Sequence, residues 1–367
     1  MYYILATSLI VLSLFEGFFK DFRLKDVFFF LAAALFIVIQ GYNTWSPDME
    51  SYELHYTYIH KDYVRNAMEP LHIFLIQRSQ AFGLNFQEFI LLYGLLIMLP
   101  FLYFVKRVSP LPVFVLSIFF FIPFFPDITQ LRNFFSFALF FMAVYYFGRN
   151  KVVFLAFLVL SLISHYSMLA MILFFIVRRL KIFNDYRKSN IIILFGMTLL
   201  TLVPKQISDP LITAINPKYS SYLEATSTYL GTIALFLPFF LLNNFVLYHF
   251  KNIYPRLERK ISEQYRANIP LFIQLIQFGN YLILLQYFIR DFSRLTMNLS
   301  ILSYIYLSIL LFYGWSHKFY RLRLHMLRFG TLVWGITAFM VVFLLLNQGE
   351  YMKIIEKTFS SNRIYGE

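Results

Sequence analysis

Long runs of apolar residues, most of them without a charged side chain, alternate with short polar segments along almost the whole chain. An apolar helix of about 20 residues is long enough to cross the roughly 30 Å hydrocarbon core of a bilayer. The pattern predicts about twelve transmembrane or re-entrant helices, near residues 2–19, 27–41, 88–105, 111–126, 129–148, 151–164, 166–177, 190–206, 229–250, 269–289, 294–315 and 329–346. No polar interval is long enough to bury a core of its own, so residues 1–367 are predicted to form a single integral membrane domain of the all-α polytopic class.

The segment 151–177 is ambiguous, because it can form one helix of 27 residues or two short helices that meet at His165. Cytoplasmic loops carry an excess of Lys and Arg, and this excess distinguishes the two arrangements. Two short helices place 21 Lys and Arg on one side of the membrane and 11 on the other, whereas one long helix gives 18 and 14. We therefore predict the broken arrangement, with both termini outside. Its halves are too short to cross a bilayer upright, so we expect a re-entrant hairpin or a locally thinned membrane.

Composition supports a membrane protein and excludes several other classes. Hydrophobic residues make up 59% of the chain, against roughly 45–50% in soluble domains. The net charge of +13 is concentrated in loops on one side, where topology and anionic lipid explain it, so no nucleic-acid partner is indicated. The chain has no cysteine, which excludes disulfides, thiolate catalysis and cysteine-ligated metals. Phe-rich runs such as 119–125 are expected to face lipid or the protein core.

The predicted outer loop 42–87 contains the first candidate carboxylates. Asp48 follows a proline and precedes Tyr52 by four residues, so it is either a functional carboxylate or a residue that stabilises a turn. Glu69-Pro70 is typical of a helix start, and the apolar residues that follow predict a short amphipathic helix at the membrane interface. Glu69 is therefore either functional or part of the helix start. The histidines of this loop show no compact pattern of metal ligands, and we predict no metal site.

Arginines near the ends of apolar helices are the second set of candidates. A lone arginine at membrane depth costs roughly 2.5–3.5 kcal/mol, so Arg132 and Arg294 together cost about 5–7 kcal/mol unless they are paired or reach the interface. The compensating anion is either an internal carboxylate, Asp127 or Asp291, or a ligand phosphate, which arginine binds in a bidentate manner. Arg290 and Arg294 are four residues apart, so they form either a cradle for pyrophosphate or a structural pair of Asp291 with Arg294.

The stretch "LISHYSMLAM" places His165 and Ser167 where the two short helices meet. An imidazole can donate or accept a proton near neutral pH, and a hydroxyl two residues away can position a ligand. The alternative is a structural histidine satisfied by backbone carbonyls. The chain contains no Gly-rich phosphate loop, no P-loop and no serine nucleophile elbow.

The order of these motifs resembles the EpsG family of Wzy-type polysaccharide polymerases. The resemblance covers about residues 40–300 and rests on Asp48-x-x-x-Tyr52, Glu69-Pro70, Gln130-x-Arg132, His165-x-Ser167 and Arg294-Leu295. The chain departs from the family pattern after Glu-Pro, where Leu71 and His72 replace Gly and an aromatic residue, and at Asn133, where Gln is frequent.

The resemblance implies a GT-C-like membrane glycosyltransferase on the outer face of the bacterial cytoplasmic (inner) membrane. Its donor would be an oligosaccharide chain on a polyprenyl diphosphate such as undecaprenyl diphosphate, and its acceptor the terminal sugar of another lipid-linked repeat. The product would be an exopolysaccharide, capsule or O-antigen, made without a cofactor. Chain-length regulators and flippase proteins would be partners by analogy.

The resemblance also implies roles for individual residues. Arginines would stabilise the diphosphate leaving group, and a base would accept the proton of the incoming hydroxyl. The implied substrate-binding residues are Arg132, Arg294, Arg290, Tyr52, Gln130 and Ser167. The implied candidates for the base are, in order of preference, Asp48, His165 and Glu69.

Other functions remain open at this point. A flippase or transporter of lipid-linked oligosaccharide also needs cationic residues in a cavity, although it requires a charged path accessible from both faces. A membrane acyltransferase that uses His165 would need a donor entry on the cytoplasmic side. If the protein were only a structural scaffold, the presence of Arg132 and Arg294 at membrane depth would have no explanation.

Overall fold

The structure, a computed structural model, describes residues 2–16, 22–43, 45–66, 68–179, 185–201, 229–288, 292–314 and 356–358. All regular secondary structure in these ranges is helical, as the sequence predicts. Four of the described helical segments are long and apolar enough to cross a membrane: Leu24–Gly41, Phe86–Val108, Glu263–Leu284 and Ser293–Tyr313. These segments agree with a membrane protein, whereas the number of about twelve helices stays a prediction.

The chain divides into two compact units, Met1–Ile172 with Gly349–Glu367, and Leu173–Gln348. The single integral membrane domain stays a prediction. The predicted helix at 329–346 lies outside the described residues.

The helices described up to residue 179 include the elements that carry the candidate site. They are α1 (Tyr2–Glu16), α2 (Phe22–Gly41), α3 (Met49–Thr57), α4 (Asp62–Arg65), α5 (Pro70–Ala81), α6 (Phe86–Val108), α7 (Pro112–Phe121), α8 (Phe124–Thr129), α9 (Leu131–Tyr146), α10 (Lys151–Ser164) and α11 (Leu169–Val177), with a 3₁₀ turn at Tyr166–Met168. The predicted break after residue 164 is confirmed, because α10 ends at Ser164 and the chain is extended at His165.

The predicted helix 111–126 is wrong in one respect, because the chain forms two helices there. α7 ends at Phe121 and α8 begins at Phe124, with a cis peptide bond between Ile122 and Pro123. Proline lacks the backbone N–H that would continue the helix and clashes with the preceding turn, which explains the interruption. An apolar run does not show this break, because the residues on both sides of it are equally hydrophobic.

Phenylalanine rings of α2, α6, α7 and α9 form the core of the first unit. Ring centroids lie 4.6 Å apart for Phe101 and Phe119, and 5.0 Å apart for Phe104 and Phe141. The residues 119–125 are almost fully buried, so this Phe-rich run packs in the core. A helix that is apolar on all sides belongs in such an interior. The packing fixes the start of α9, where Arg132 lies.

Small residues allow α2 and α6 to approach each other closely. A Cβ atom added at Gly41 would lie 2.5 Å from Cδ1 of Leu91, and one added at Gly94 would lie 3.1 Å from Cγ of Gln40. Glycine commonly brings apolar helices together in this way. The close approach holds the beginning of the loop 42–87 against α6.

Side chains satisfy several helix starts of the first unit. The buried carboxylate of Glu16 accepts hydrogen bonds of 3.0 Å from the backbone N–H groups of Val113 and Phe114, in the first turn of α7. Asn85 and Glu88 form a reciprocal capping box at the start of α6. The first N–H groups of a helix have no partner within it, so a buried helix start needs such acceptors.

The helices described from residue 185 onward are α12 (Tyr186–Thr201), α13 (Tyr229–Asn252), α14 (Tyr254–Leu257), α15 (Glu263–Arg266), α16 (Ile269–Phe288) and α17 (Phe292–Gly314). Hydrogen bonds between buried polar side chains connect the longer ones. Asn243 of α13 donates to Asn280 of α16 at 2.9 Å, and Ser303 of α17 donates to Asn243 at 2.8 Å. Such bonds are a common means of holding apolar helices together.

Candidate functional site

Three short helices, α3, α4 and α5, make up most of the loop 42–87. The buried side of α3 carries Tyr52 and Tyr56. The Tyr56 hydroxyl donates to the carbonyl of Leu84, and the Gln80 side chain donates to the carbonyl of Tyr56 at 2.5 Å. These bonds tie α3 to the end of α5, so the loop has a defined structure in which the candidate residues hold fixed positions.

A helix follows Glu69 as predicted and is α5, whereas its amphipathic character at a membrane interface stays a prediction. Pro70 occupies its first turn, and Phe74 of α5 and Phe82 directly after it are exposed. The side packed against the protein is a different one and carries His72, Ile76 and Ser79.

Glu69 precedes α5 directly, yet its carboxylate does not cap the helix. The residue is only 7% exposed, and Oε2 accepts a hydrogen bond of 2.5 Å from Nη1 of Arg132. The helix start and the carboxylate are therefore separate features. The backbone of Glu69 begins α5, while its side chain neutralises a cation.

Arg132 is the second residue of α9, and its counter-ion is Glu69. The sequence had suggested Asp127, Asp291 or a ligand phosphate as the anion, so the partner is a residue 63 positions earlier that had been considered only as a base. Nε of Arg132 is buried and makes no hydrogen bond. The guanidinium thus has one N–H engaged by Glu69 and another directed into the protein without an acceptor.

His165 brings a third ionisable group to this pair. It lies in the extended residue between α10 and the 3₁₀ turn, and its Nδ1 accepts a hydrogen bond of 3.2 Å from the backbone N–H of Ser167. Its Nε2 lies 4.0 Å from Oε1 of Glu69. Because Nδ1 acts as the acceptor, a neutral imidazole carries its proton on Nε2, on the side of Glu69. The helix break therefore orients a donor toward the carboxylate.

Ser167 and Gln130 lie close to the same helix start. The Ser167 hydroxyl donates to Oδ1 of Asn133 at 3.5 Å, which joins the 3₁₀ turn to the residue after Arg132. Gln130 is buried and immediately precedes α9. A further bond of 2.7 Å, from the Ser161 hydroxyl to the carbonyl of Ser136, holds α10 against α9.

Tyr52 is buried beside Arg132, whose guanidinium carbon lies 5.9 Å from the ring centroid. Burial raises the pKa of the Tyr52 hydroxyl, and the nearby charge of Asp48 raises it further. The charge of Arg132 and hydrogen bonds to its backbone and side chain act in the opposite direction. Asp48 directly precedes α3 and is half-buried, and its side chain does not cap that helix. Tyr52 therefore belongs to the surroundings of Arg132, and Asp48 to those of Tyr52.

His72 is the residue of this site that the sequence did not select. It is 1% exposed, neither ring nitrogen has a hydrogen-bond partner, and its ring lies 5.9 Å from that of Tyr52 and 5.5 Å from that of Tyr93. Burial lowers the pKa of His72 well below its ordinary value, and Arg132 and His55 lower it further. His72 is therefore neutral. Glu69 and His72 lie one turn apart on one helical side, and this spacing is the signal that identifies it.

The rings of His72 and His55 are 6.3 Å apart, and burial followed by the charge of Arg132 also lowers the pKa of His55. Within the described ranges, no cluster of three or more His, Cys, Asp or Glu is arranged to hold a metal ion.

Arg294 lies in the second unit and is the third residue of α17. Its backbone carbonyl accepts a hydrogen bond of 3.2 Å from the side chain of Asn298. Arg290 and Asp291 lie outside the described residues. The anion pocket shared by Arg132, Arg290 and Arg294 therefore stays a prediction.

Comparison with known protein families gives a match over most of the chain. Residues 3–356 match the model of the EpsG family. No curated protein and no solved structure matches the chain.

Proposed function

Since the chain belongs to the EpsG family, whose members are polysaccharide-polymerase-like membrane proteins, we propose that it is a membrane glycosyltransferase that polymerises lipid-linked oligosaccharides. The donor is an oligosaccharide chain on a polyprenyl diphosphate, and the acceptor is the terminal sugar of a second lipid-linked repeat. The polymer belongs to the class of exopolysaccharides, capsules and O-antigens. We further propose a GT-C-like architecture in the bacterial cytoplasmic membrane, with the site facing outside.

The observation that carries this proposal is the group of Glu69, which is buried, with Arg132 and His165, which are partly exposed. Transfer from a diphosphate builds negative charge on the leaving oxygen, and a preorganised guanidinium stabilises that charge without a metal ion. Arg132 provides such a group at the start of an apolar helix. Arg294 and Arg290 are proposed as further diphosphate ligands, with Tyr52, Gln130 and Ser167 in contact with the substrate.

In the transfer step, the bond between the anomeric carbon and the diphosphate oxygen breaks, and its electron pair leaves with the diphosphate. A bond forms between that carbon and the acceptor hydroxyl oxygen. The hydroxyl proton passes to a protein base. Asp48, His165 and Glu69 are the candidates, and all three belong to the first unit.

The direct test supplies a lipid-linked repeat unit to the purified protein in nanodiscs. We expect a ladder of longer lipid-linked chains. Replacing Arg132 by Ala should lower the rate of chain extension by roughly 10²–10³-fold, the usual cost of removing one donor that stabilises transition-state charge. Arg65→Ala is the matched control, since Arg65 is an exposed arginine of the same loop, paired with Asp62 at 3.1 Å.

A flippase would behave differently in the same nanodisc preparation and in vesicles. It would move a fluorescent lipid-linked repeat between leaflets without lengthening it. Movement without a ladder, or full ladder formation by the Arg132→Ala variant, would contradict the proposed polymerase.

A further inference from the structure

We propose that Glu69 is a displaceable counter-ion. It occupies Arg132 in the substrate-free protein, the diphosphate of the donor replaces it there, and the released carboxylate becomes the base for the acceptor hydroxyl. This inference rests on the proposed function and specifies how substrate binding and catalysis are coupled at the site.

The geometry of the pair leaves room for exchange. Glu69 contacts Arg132 through Nη1, while about a quarter of the Arg132 side chain remains exposed. A guanidinium presents five N–H donors and prefers two parallel hydrogen bonds to one anion. The contact with Glu69 uses this capacity only in part. A diphosphate carries more charge and more oxygen atoms than a carboxylate, so it can engage Arg132 more completely.

The second oxygen of Glu69 already faces another donor. Oε1 lies 4.0 Å from Nε2 of His165, which is too long for a hydrogen bond but needs only a small side-chain rotation to become one. Once the diphosphate has taken Arg132, the carboxylate can turn toward His165. His165 is then a positioning residue, since it holds the base in place without contacting the reacting atoms.

The same contacts argue against His165 as the base. Its Nδ1 lone pair accepts the Ser167 N–H, so the proton of the neutral ring is on Nε2. The nitrogen that faces the site is therefore a donor. Glu69, in contrast, offers carboxylate oxygens as acceptors and contacts Arg132, the group proposed to hold the leaving diphosphate.

Protons and charges balance in this scheme. Glu69 accepts the proton of the acceptor hydroxyl as the new glycosidic bond forms, and the diphosphate leaves with the electron pair of the broken bond. When the polyprenyl diphosphate departs, the Glu69 carboxyl releases its proton to solvent. The carboxylate then pairs with Arg132 again, which restores the substrate-free site.

The first measurement is the affinity for inorganic pyrophosphate and for geranylgeranyl diphosphate, a short polyprenyl diphosphate, in nanodiscs. Glu69→Gln removes the competing charge but keeps the size of the side chain. We expect it to bind both probes about tenfold more tightly than the wild type, and to extend chains at least about 100-fold more slowly. Equal tightening for both probes locates the competition at the diphosphate, whereas tightening for the lipid alone would assign it to the lipid chain and overturn the proposal.

Asp62→Asn is the matched control, because Asp62 is an exposed acid paired with an arginine in the same loop. It should leave affinity and chain extension unchanged. If Glu69→Gln binds pyrophosphate as the wild type does, or more weakly, Glu69 does not compete for Arg132. Should Glu69→Gln fail to fold, Glu69→Asp provides the test, because its shorter side chain pairs less well with Arg132. It should bind pyrophosphate more tightly than the wild type, and unchanged or weaker binding would overturn the proposal.

His165 gives an independent measurement. His165→Ala should leave pyrophosphate affinity unchanged and lower the kcat of chain extension, whereas His165→Gln should recover part of it because its amide can donate to Glu69. A loss of affinity without a loss of kcat would contradict the positioning role.

The two proposals fail in different ways. A wild-type protein that makes no ladder, but whose Glu69→Gln variant binds pyrophosphate more tightly, refutes the polymerase and keeps the exchange. A wild type that makes a ladder, with unchanged affinity in Glu69→Gln, refutes the exchange and keeps the polymerase.

Discussion

At the scale of single residues, Glu69 and Arg132 stabilise each other as well as serving the proposed reaction. Both are largely buried, so each is costly without the other. Breaking a buried ion pair by removing one partner typically costs about 3–5 kcal/mol, whereas replacing both partners by apolar residues is often neutral. The cost here should be at the lower end, because about a quarter of the Arg132 side chain is exposed.

Thermal unfolding in detergent can therefore separate folding from function at this pair. Glu69→Met and Arg132→Met should each lower the unfolding temperature, because each leaves an unpaired charge in the interior. The double variant Glu69→Met/Arg132→Met should recover most of the loss and still fail to extend chains. If the decrease in unfolding temperature of the double variant equals the sum of the decreases of the two single variants, the two charges do not stabilise each other.

His72 makes stability depend on pH in a defined direction. Burial lowers its pKa in the folded protein well below 6.5, and Arg132 and His55 add to the effect. Below pH 6.5 the unfolded chain gains a proton at this residue that the folded protein does not, so unfolding becomes more favourable as pH falls. Above pH 6.5 the ring is neutral in both states, and no loss occurs.

We expect the unfolding temperature to be flat above about pH 7 and to decrease as pH falls below 6.5. His72→Phe fits an aromatic environment of Tyr52, Phe89 and Tyr93 and should make the decrease smaller, with the remaining slope due in part to His55. His60→Phe, at an exposed position of the same loop, is the control. An identical decrease in wild type and His72→Phe would show that His72 does not cause it.

The sequence identifies most residues of the candidate site but not their contacts. Asp48, Glu69 and His165 stand out because polar residues are conspicuous between apolar runs. The pairing of Glu69 with Arg132 spans 63 residues, and no local pattern encodes a contact at that distance. His72 was not selected, because periodicity was sought among apolar residues, while the buried side of α5 consists of His72, Ile76 and Ser79.

At the scale of elements, buried helix starts show how a carboxylate can be purely structural. Glu16 ends α1 and accepts the N–H groups of Val113 and Phe114 at the start of α7. It is as buried as Glu69, yet its partners are backbone donors, and the contact joins two helices. Burial alone therefore does not identify a functional carboxylate. The pairing of Glu69 with Arg132, whose Nε donor has no hydrogen-bond partner, is the feature that distinguishes Glu69 from Glu16.

Removing the carboxylate of Glu16 should lower the free energy of unfolding. Glu16→Ala leaves two buried N–H groups without an acceptor, each worth about 1–3 kcal/mol, so we expect a clear decrease in unfolding temperature. Glu16→Gln keeps one oxygen acceptor and should lose less. Asn150→Ala, which removes an exposed cap at the start of α10, should cost only about 1 kcal/mol. Equal stability of Glu16→Ala and wild type would mean that other acceptors replace the carboxylate.

Of the two helix interruptions discussed above, the sequence predicted the one after Ser164 and missed the one at Pro123. The break after α10 was predicted from the distribution of Lys and Arg, and in the structure Asn150 caps the start of that helix. The break at Pro123 was missed although proline is visible in the sequence, because an apolar run containing proline can also continue as a kinked membrane helix. The helix α6 does continue through Pro100, so the presence of a proline alone does not decide between these outcomes.

At the scale of the whole molecule, apolar runs predicted a helical membrane protein, and the described helices agree. The division into two compact units was not predicted. Hydrophobicity shows which segments enter a membrane, but not which helices pack together, because lipid and protein interiors are similarly apolar. The prediction that the candidate site faces outside rests on the distribution of Lys and Arg in the loops. Labelling of single cysteines measures this orientation directly.

Single cysteines can measure this topology without interference, because the chain has none of its own. Tyr166→Cys probes the break beside His165 at a residue that is 59% exposed. Asp62→Cys reports on the loop 42–87, and Lys151→Cys lies at the opposite end of α10 from the break.

A membrane-impermeant maleimide added to spheroplasts should label positions 166 and 62, and it should label position 151 only after the membrane is permeabilised. This result follows from the excess of Lys and Arg on the cytoplasmic side, which requires α10 to begin inside and the break to lie outside. It would also place Glu69 and His165 on the side where lipid diphosphates of exported polymers are proposed to bind. If position 166 is labelled only after permeabilisation while position 62 is labelled directly, the broken-helix topology is wrong, and the proximity of His165 to Glu69 then requires a different arrangement.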